Sequence, residues 1–388
     1  MAKRRPAGDG LVRKRKDGRW EGRIVAGHKE DGSPIFRSVF AKTQKELMRK
    51  LHTQIETYRD VELNENCNIT LGEWMDKWLN ERMVLTLRES TLRAYHSNIE
   101  LYIKPRLGDM KIGTVTTADV QKMYNSVREF GRVNDHYEKG SRLADSTVRH
   151  LHMVLHQALD AAVQERIIVK NPTDGTVVPK ANYAPKQILT EEQLERFMAV
   201  IRQDPYWYDL FYTELTTGMR RGEICGLRWE DFDAASGRLH IRRSIAVRKG
   251  GGTQIGETKT DTGARSILLP PSTADLLRKR KETAYGPWIF HNPVKPEEPM
   301  SPATVYRRMK TLLHHAELPL VRFHDLRHTF ATHALTSGVD AKTLAGILGH
   351  TNASFTLDTY THVTTDMQKN AAEIVGGFMD DFIGGEFE

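Results

Sequence analysis

Cysteine is nearly absent from this sequence: Cys67 and Cys225 are the two in 388 residues, far apart and with no metal-ligand spacing. That excludes a disulfide scaffold and a thiolate zinc site, and it suits a reducing compartment. Also missing is any apolar run near the roughly 18 residues that a membrane helix needs. The basic first residues are not followed by the apolar stretch of a secretory signal. The expectation is a cytoplasmic protein with no membrane partner. No internal repeat or low-complexity tract interrupts the chain. With 39% apolar and 28% charged residues it can bury real cores. At about 100 to 200 residues per domain, its length implies two to four of them.

Acidic residues are outnumbered at the front. Residues 1–50 carry 15 Lys and Arg against 6 Asp and Glu, a balance of +9 within a chain whose total is +7. The remainder is therefore near neutral. A localised basic segment suits a polyanion, because phosphates neutralised by Lys and Arg release condensed counterions. A solvated basic tail is the bland alternative.

Residues 10–41 read as three short antiparallel strands, Leu11 to Arg15, Arg19 to Ala26 and Ile35 to Phe40, with Asp-Gly turns between them. Thr43 has the character of a helix N-cap, with Glu46 three residues on and Leu47, Leu51, Ile55 and Tyr58 at helical spacing. Thr70 caps a second helical region containing Trp74, Trp78 and Leu79, continued by amphipathic segments 90–103, 117–129 and 145–166 up to Asn171-Pro172. A third region opens at the capping signal Thr190-Glu191-Glu192-Gln193 and contains a strand-rich insert from Leu239 to Leu269. The expected fold is multidomain α+β: a small three-stranded sheet plus helix (1–65), a helical domain (66–178), a linker (179–187), and a mainly α domain with a β-hairpin insert and an acidic tail (188–388).

The candidate chemistry lies in the third region. In TTGMRRGEICGLRW, Arg220 follows a glycine turn and precedes a helix, and Glu223 three residues on can hold its guanidinium. In HDLRHTFATHALTSGVDAKTLAGILGH, His324 and Arg327 share a helical face. A zinc reading of His324 and His328 fails, because the intervening residues lack a catalytic Glu and Arg327 would repel a cation. His350 ends that segment, and Tyr360 follows ten residues later. Each residue alone is ordinary: histidines are usually caps or core groups, and a lone Tyr is usually packing.

In this order, Gly-x-Arg, His-x-x-Arg, Leu-Gly-His and then Tyr resemble the catalytic domain of tyrosine recombinases. The basic three-stranded segment resembles the arm-site-binding domain of integrases from phages and conjugative transposons, and residues 68–178 resemble the family's helical core-binding domain. The resemblance implies that Arg220 and Arg327 clamp a phosphate, that His324 and His350 are companion donors, and that Tyr360 is the nucleophile. It also implies a lysine on a β-hairpin. Here GETKTDTGARSILL offers Lys259 just before the turn Thr260 to Gly263, with Lys249 the alternative.

This residue set suits phosphodiester exchange. Charge spreads over the nonbridging oxygens in the transition state, and planar bidentate arginines match it better than point-charge lysines. A tyrosyl link conserves the energy of the broken phosphodiester, so religation needs no ATP. No cofactor and no metal are implied. The expected partner is double-stranded DNA, at core and arm sites, bound by a homotetramer, with an accessory DNA-bending or excision factor as a further partner. Arg13, Arg15, Arg19, Arg23 and Arg37 lie on the predicted strands or at their turns and are the candidate arm contacts, whereas Trp20 is assigned to packing against the helix of residues 43–58. Metal-dependent transposition would need converging carboxylates that these segments lack. A topoisomerase-like enzyme and a non-enzymatic architectural DNA binder are the competing readings.

Overall fold

The computed structural model describes residues 10–29, 31–58, 62–132, 141–180, 187–248, 250–257, 264–350 and 372. The chain forms two units, Met1–Ala184 and Pro185–Glu388.

The first unit begins with an antiparallel sheet in the order β1 (Leu11–Lys14), β2 (Trp20–His28), β3 (Pro34–Ala41). Helix α1 (Gln44–Tyr58) follows, and Thr43 Oγ1 accepts from Glu46 N at 3.2 Å as the cap. Strand alternation sends Trp20, Gly22 and Ile24 to the α1 side, where a Cβ on Gly22 would lie 3.0 Å from Leu51. Glu21, Arg23 and Val25 go to the other face. The sheet's end docks on the helical region. Leu63 N donates to Ala26 O at 2.8 Å, and the Gly27 and Leu63 backbones approach so closely that a Cβ on Gly27 would lie 2.1 Å from Leu63 O. Ala26, Ile35, Leu63 and Cys67 make a small shared core there.

The helical region contains α2 (Leu71–Lys77), α3 (Glu89–Asn98), α4 (Lys104–Leu107), α5 (Thr117–Phe130) and α6 (Asp145–Gln164). Thr70 and Glu73 form a reciprocal cap on α2, and Thr116 and Asp119 do so on α5. A π-turn at Ile99–Ile103 sits just ahead of Pro105, which has no N–H for the carbonyl four residues back. Helix α6 is the core of the region: Val148, Leu151, Val154, Leu155, Ala158, Leu159 and Ala162 are all fully buried. Each such Val or Leu contributes roughly 1.5 to 3 kcal/mol by burial. Trp74, also fully buried, satisfies its indole N–H on Ala158 O at 2.7 Å.

The second unit opens with α7 (Glu191–Ile201), capped by Thr190 with Gln193, then α8 (Pro205–Thr217) and α9 (Arg221–Cys225). Strands β4 (Phe232–Asp233), β5 (Arg238–Ile241) and β8 (Arg265–Leu268) make one sheet, and β6 (Arg243–Val247) and β7 (Thr253–Glu257) make another. Helices α10 (Pro271–Glu282), α11 (Pro302–His315), α12 (Phe323–Thr336) and α13 (Ala341–Leu348) complete it. A large core including Phe197, Phe211, Leu239, Ile289, Leu312 and Leu326 holds the unit together. The hairpin of the insert joins β6 to β7, whereas β8 pairs with β5. That corrects the expected pairing across GETKTDTGARSILL: the turn that closes is Arg248 to Gly252, where three glycines at φ +91°, +107° and +79° supply the left-handed backbone. Among the described residues no helix is long and apolar enough to cross a membrane.

Candidate active site

The site is assembled around two helix C-termini, each closed by a left-handed glycine. Helix α8 ends at Gly218 (φ +59°) and α13 ends at Gly349 (φ +65°). A Cβ at Gly218 would lie 2.4 Å from Phe330 and 2.9 Å from Leu348, so the turn is held to glycine by packing as well as by φ. Helix α13 is itself fixed by Asp340, which accepts from Lys342 N and Thr343 N, and by Leu344 and Leu348 packing on Ala331 and Leu335 of α12.

The last carbonyls of a helix have no partner within it and carry the negative end of its dipole. At α13 they collect arginines. Ile347 O accepts from Arg265 Nε at 2.6 Å, Leu348 O from Arg327 Nη2 at 2.7 Å, and Gly349 O from Arg220 Nη2 at 3.0 Å. Arg327, only 1% exposed, also donates Nη1 to Gly218 O at 2.9 Å, so it is strung between the two helix ends. Glu223 ties the others together. One oxygen accepts from Arg220 Nη1 at 2.6 Å, and the other accepts from Arg265 Nη2 and Arg220 N, both at 3.0 Å. Burial alone would raise the Glu223 carboxyl, but Arg265 and Arg220 outweigh it and hold the group below its usual range.

The structure therefore brings Arg220, Glu223, Arg327 and His350 together as the sequence predicted. Arg265 is a member that sequence reasoning missed, and so is Glu214 of α8. The Glu214 carboxyl is wholly buried, and its oxygens have no hydrogen-bond partner among the described residues. Burial pushes it well above the usual carboxylate range, against the pull of Arg327 and Arg265 nearby. Lys259, Lys249, Tyr360 and the acidic tail lie outside the described residues.

His350 Nε2 lies 2.7 Å from Arg327 Nη2. A guanidinium only donates, so this nitrogen accepts and the ring is neutral with its proton on Nδ1. Desolvation, then Arg327 and Arg220, lower the His350 pKa to about 4. His324, one turn before Arg327 on α12, presents an open edge to solvent and meets His328 edge to face at 4.7 Å. The crowded protein around it and the charges of Arg327 and Arg220 bring it to about 4 as well. Arg327 is itself lowered to about 10, by burial and then by Arg220, and stays charged at neutral pH.

A stability consequence follows. The unfolded chain protonates these histidines near 6.5 and the folded protein near 4, so folding stability is full above about 6.5 and is lost as pH falls through that interval. The melting temperature is expected to drop between about pH 7 and about pH 4.5, and to drop less in His350→Asn. An equal drop in the variant would remove His350 from the account.

On the sheet, Arg13, Arg15 and Arg23 gather round Glu21, and Arg19 joins Arg15 near the Phe40 ring. Arg37 does not join them and lies on the other face of the sheet. Alternation on β3 places it opposite Phe36, Ser38 and Phe40, and it donates to Cys67 O at 3.2 Å and Asn68 Oδ1 at 3.3 Å.

Comparison with known proteins gives the family context. The phage integrase family model matches residues 187–367, and the model of the phage integrase N-terminal SAM-like domain matches 70–127. A protein named tyrosine recombinase XerC-like from Caldanaerobacter subterraneus subsp. tengcongensis is 27% identical over 378 residues, covering 90% of this chain and 94% of that protein. The transposase from transposon Tn916 of Enterococcus faecalis is 26% identical, covering 72% and 71%. Among solved structures, the Tn1549 transposon integrase in complex with circular intermediate DNA superposes with a TM-score of 0.66 at 25% identity, covering 79% of this chain and 100% of that one. A lambda integrase tetramer bound to a Holliday junction shares the fold, with a TM-score of 0.57 at 20% identity, covering 88% and 96%.

Proposed function

This chain belongs to the phage integrase family of tyrosine recombinases, enzymes that cut and rejoin DNA strands at specific sites of mobile elements, and we propose how its own residues divide that work. Arg220 and Arg327 are the phosphate clamp. The observation that carries this is their seating: two guanidiniums on successive carbonyls at one helix end, where burial and then the charge of Arg220 lower the Arg327 pKa. A phosphate between them relieves that repulsion, and its charge grows on the nonbridging oxygens as the transition state forms.

The Tyr360 oxygen attacks phosphorus. Its proton passes to His324, or to His350 once its Nε2 is released from Arg327, both rings being neutral beforehand. The bond from phosphorus to the 5′ oxygen breaks, Lys259 protonates that oxygen, and a 3′-phosphotyrosyl link remains. A 5′-hydroxyl from a partner strand reverses the sequence. Glu223 and Arg265 position the clamp from behind.

In this reading residues 1–65 bind arm-type DNA, 66–178 bind the core site, 179–187 link them to the catalytic domain 188–388, and four copies act on two duplexes because each active site cuts one strand. An accessory DNA-bending or excision factor is a further partner. The arm contact uses the outer face of the sheet, with Arg13, Arg15, Arg19 and Arg23 beside the exposed Leu11, Val25, Phe36 and Phe40. A two-stranded ribbon or small sheet fits a major groove.

A core-site duplex with a nick beside the scissile phosphate, which lets the released 5′ fragment diffuse away, is expected to trap protein covalently on DNA. No trapped adduct would count against phosphotyrosyl chemistry. Lys259→Ala is expected to slow that trapping, and a substrate with a 5′-thiol leaving group, which needs no proton, is expected to restore it. Failure of the thiol to rescue would move the acid elsewhere, with Lys249 next.

A further inference from the structure

The outer face of the N-terminal sheet contains a feature that phosphate binding alone does not call for. Glu21 stands at its centre, opposite Arg13 on β1 and Phe40 on β3. An acid in a surface that grips phosphate repels its ligand, and yet this one is enclosed. Arg13 Nε donates to Oε2 at 2.8 Å, Arg15 Nη1 lies 3.6 Å from the same oxygen, and Arg23 Nη2 donates to Oε1 at 3.4 Å. These guanidiniums leave the Glu21 side chain only 3% exposed on an otherwise open face. The hydrogen bond from Arg13, followed by the surrounding arginine charge, keeps the carboxyl below its usual range, so it is ionised at neutral pH.

Aromatic rings complete the arrangement. The Arg15 guanidinium lies 5.4 Å from the centre of the Phe40 ring, and that of Arg23 lies 5.1 Å from the centre of Phe36. Arg15 and Arg23 are thus each held between a carboxylate and a ring, and Arg13 by the carboxylate. A free surface arginine samples many rotamers and grips whatever phosphate comes near. An arginine with its fork already aimed matches the paired acceptors of a guanine edge, while exposed Phe36, Phe40, Val25 and Leu11 suit thymine methyl groups.

We propose that Glu21 is the specificity-setting residue of this face: it orders Arg13, Arg15 and Arg23 into one array and cancels part of their charge, so that the sheet discriminates base sequence instead of holding any duplex. The inference rests on the reading that this face binds arm-type DNA. Glu21 acts through the arginines and is a positioning residue.

The test uses the full chain. Duplexes enriched by the wild type from a randomised pool are compared with those enriched by the double variant Arg13→Ala/Arg23→Ala, and the motif lost in the variant is the one the sheet reads. If no motif is lost, the arm-binding reading itself fails, and the inference falls with it. With that motif in hand, affinities for the motif and for a scrambled duplex are measured across a salt series for wild type, Glu21→Gln and Glu21→Asp. Glu21→Gln is expected to lower the ratio of motif to scrambled affinity about tenfold, chiefly by strengthening scrambled binding, and to steepen the scrambled salt slope by about one. Glu21→Asp, which keeps the charge, is expected to recover much of the ratio. An unchanged ratio in Glu21→Gln overturns the proposal. So does a ratio that follows melting temperature and not charge across the two variants, because that is the behaviour of a merely structural residue.

Discussion

Tyr360→Phe is expected to bind core DNA nearly as tightly as the wild type and to form no covalent complex with it. In the proposed mechanism the one oxygen removed is the oxygen that bonds to phosphorus, whereas the proposed clamp on the phosphate is built from other residues. The loss should reach the detection limit, on the order of 10⁴-fold or more, because a clamp without a nucleophile has no alternative first step. Substitute attack by another phenol is disfavoured by the sequence, whose nearest earlier tyrosine is Tyr306 on α11. Denaturing electrophoresis of a nicked core-site substrate reads the outcome directly, and a persistent adduct in the variant would transfer the nucleophile's role to another residue.

Arg327→Lys carries the second largest expected effect. Cleavage in a single turnover should fall by roughly 10² to 10³, the usual cost of removing a donor aimed at transition-state charge, while core-site affinity changes far less. The geometry explains why a conserved charge is insufficient. Arg327 donates to Gly218 O, Leu348 O and His350 at once, and a single ammonium does not span those three acceptors. Buried acceptors left without donors cost about 1 to 3 kcal/mol each, so the variant should also melt earlier. Arg220→Lys makes the useful contrast: that side chain is a third exposed, so water can replace a lost donor. It should therefore lose cleavage with a smaller loss of stability. A lysine variant at position 327 that cleaves at the wild-type rate would remove Arg327 from the clamp.

What could be read from the sequence was local. Thr43, Thr70 and Thr190 announced their helices because a cap and its partner lie three residues apart, and Glu223 was assigned to Arg220 for the same reason. The strand alternation of β2 was legible, since Gly22 and Ile24 differ in kind from Glu21 and Arg23. On β3 it was not: Ile35, Arg37 and Val39 look much like Phe36, Ser38 and Phe40, so no polarity contrast marks the face to which Arg37 belongs. The reading of GETKTDTGARSILL as the hairpin passed over the glycine run at 250–252, which was the local signal for the turn between β6 and β7. Arg265 gave no local signal. Its partners are a carboxylate 42 residues earlier and a carbonyl 82 residues later. The upward shift of the Glu214 carboxyl is likewise a product of burial, invisible until α8 is packed.

The seat of the three arginines at the end of α13 is made of main-chain oxygens, and this gives the site an unusual grammar of change. No replacement of a side chain at 347, 348 or 349 deletes an acceptor, since every residue brings the same carbonyl. Spelling is thus forgiving only at 347, because Leu348 is buried in the packing of α13 and Gly349 is its left-handed cap. Length is not forgiving. One residue inserted in α13 turns everything beyond it by about 100° and advances it by about 1.5 Å, which would hand each guanidinium the wrong oxygen. A family built on this seat should rarely gain or lose a residue between the last turn of that helix and its cap.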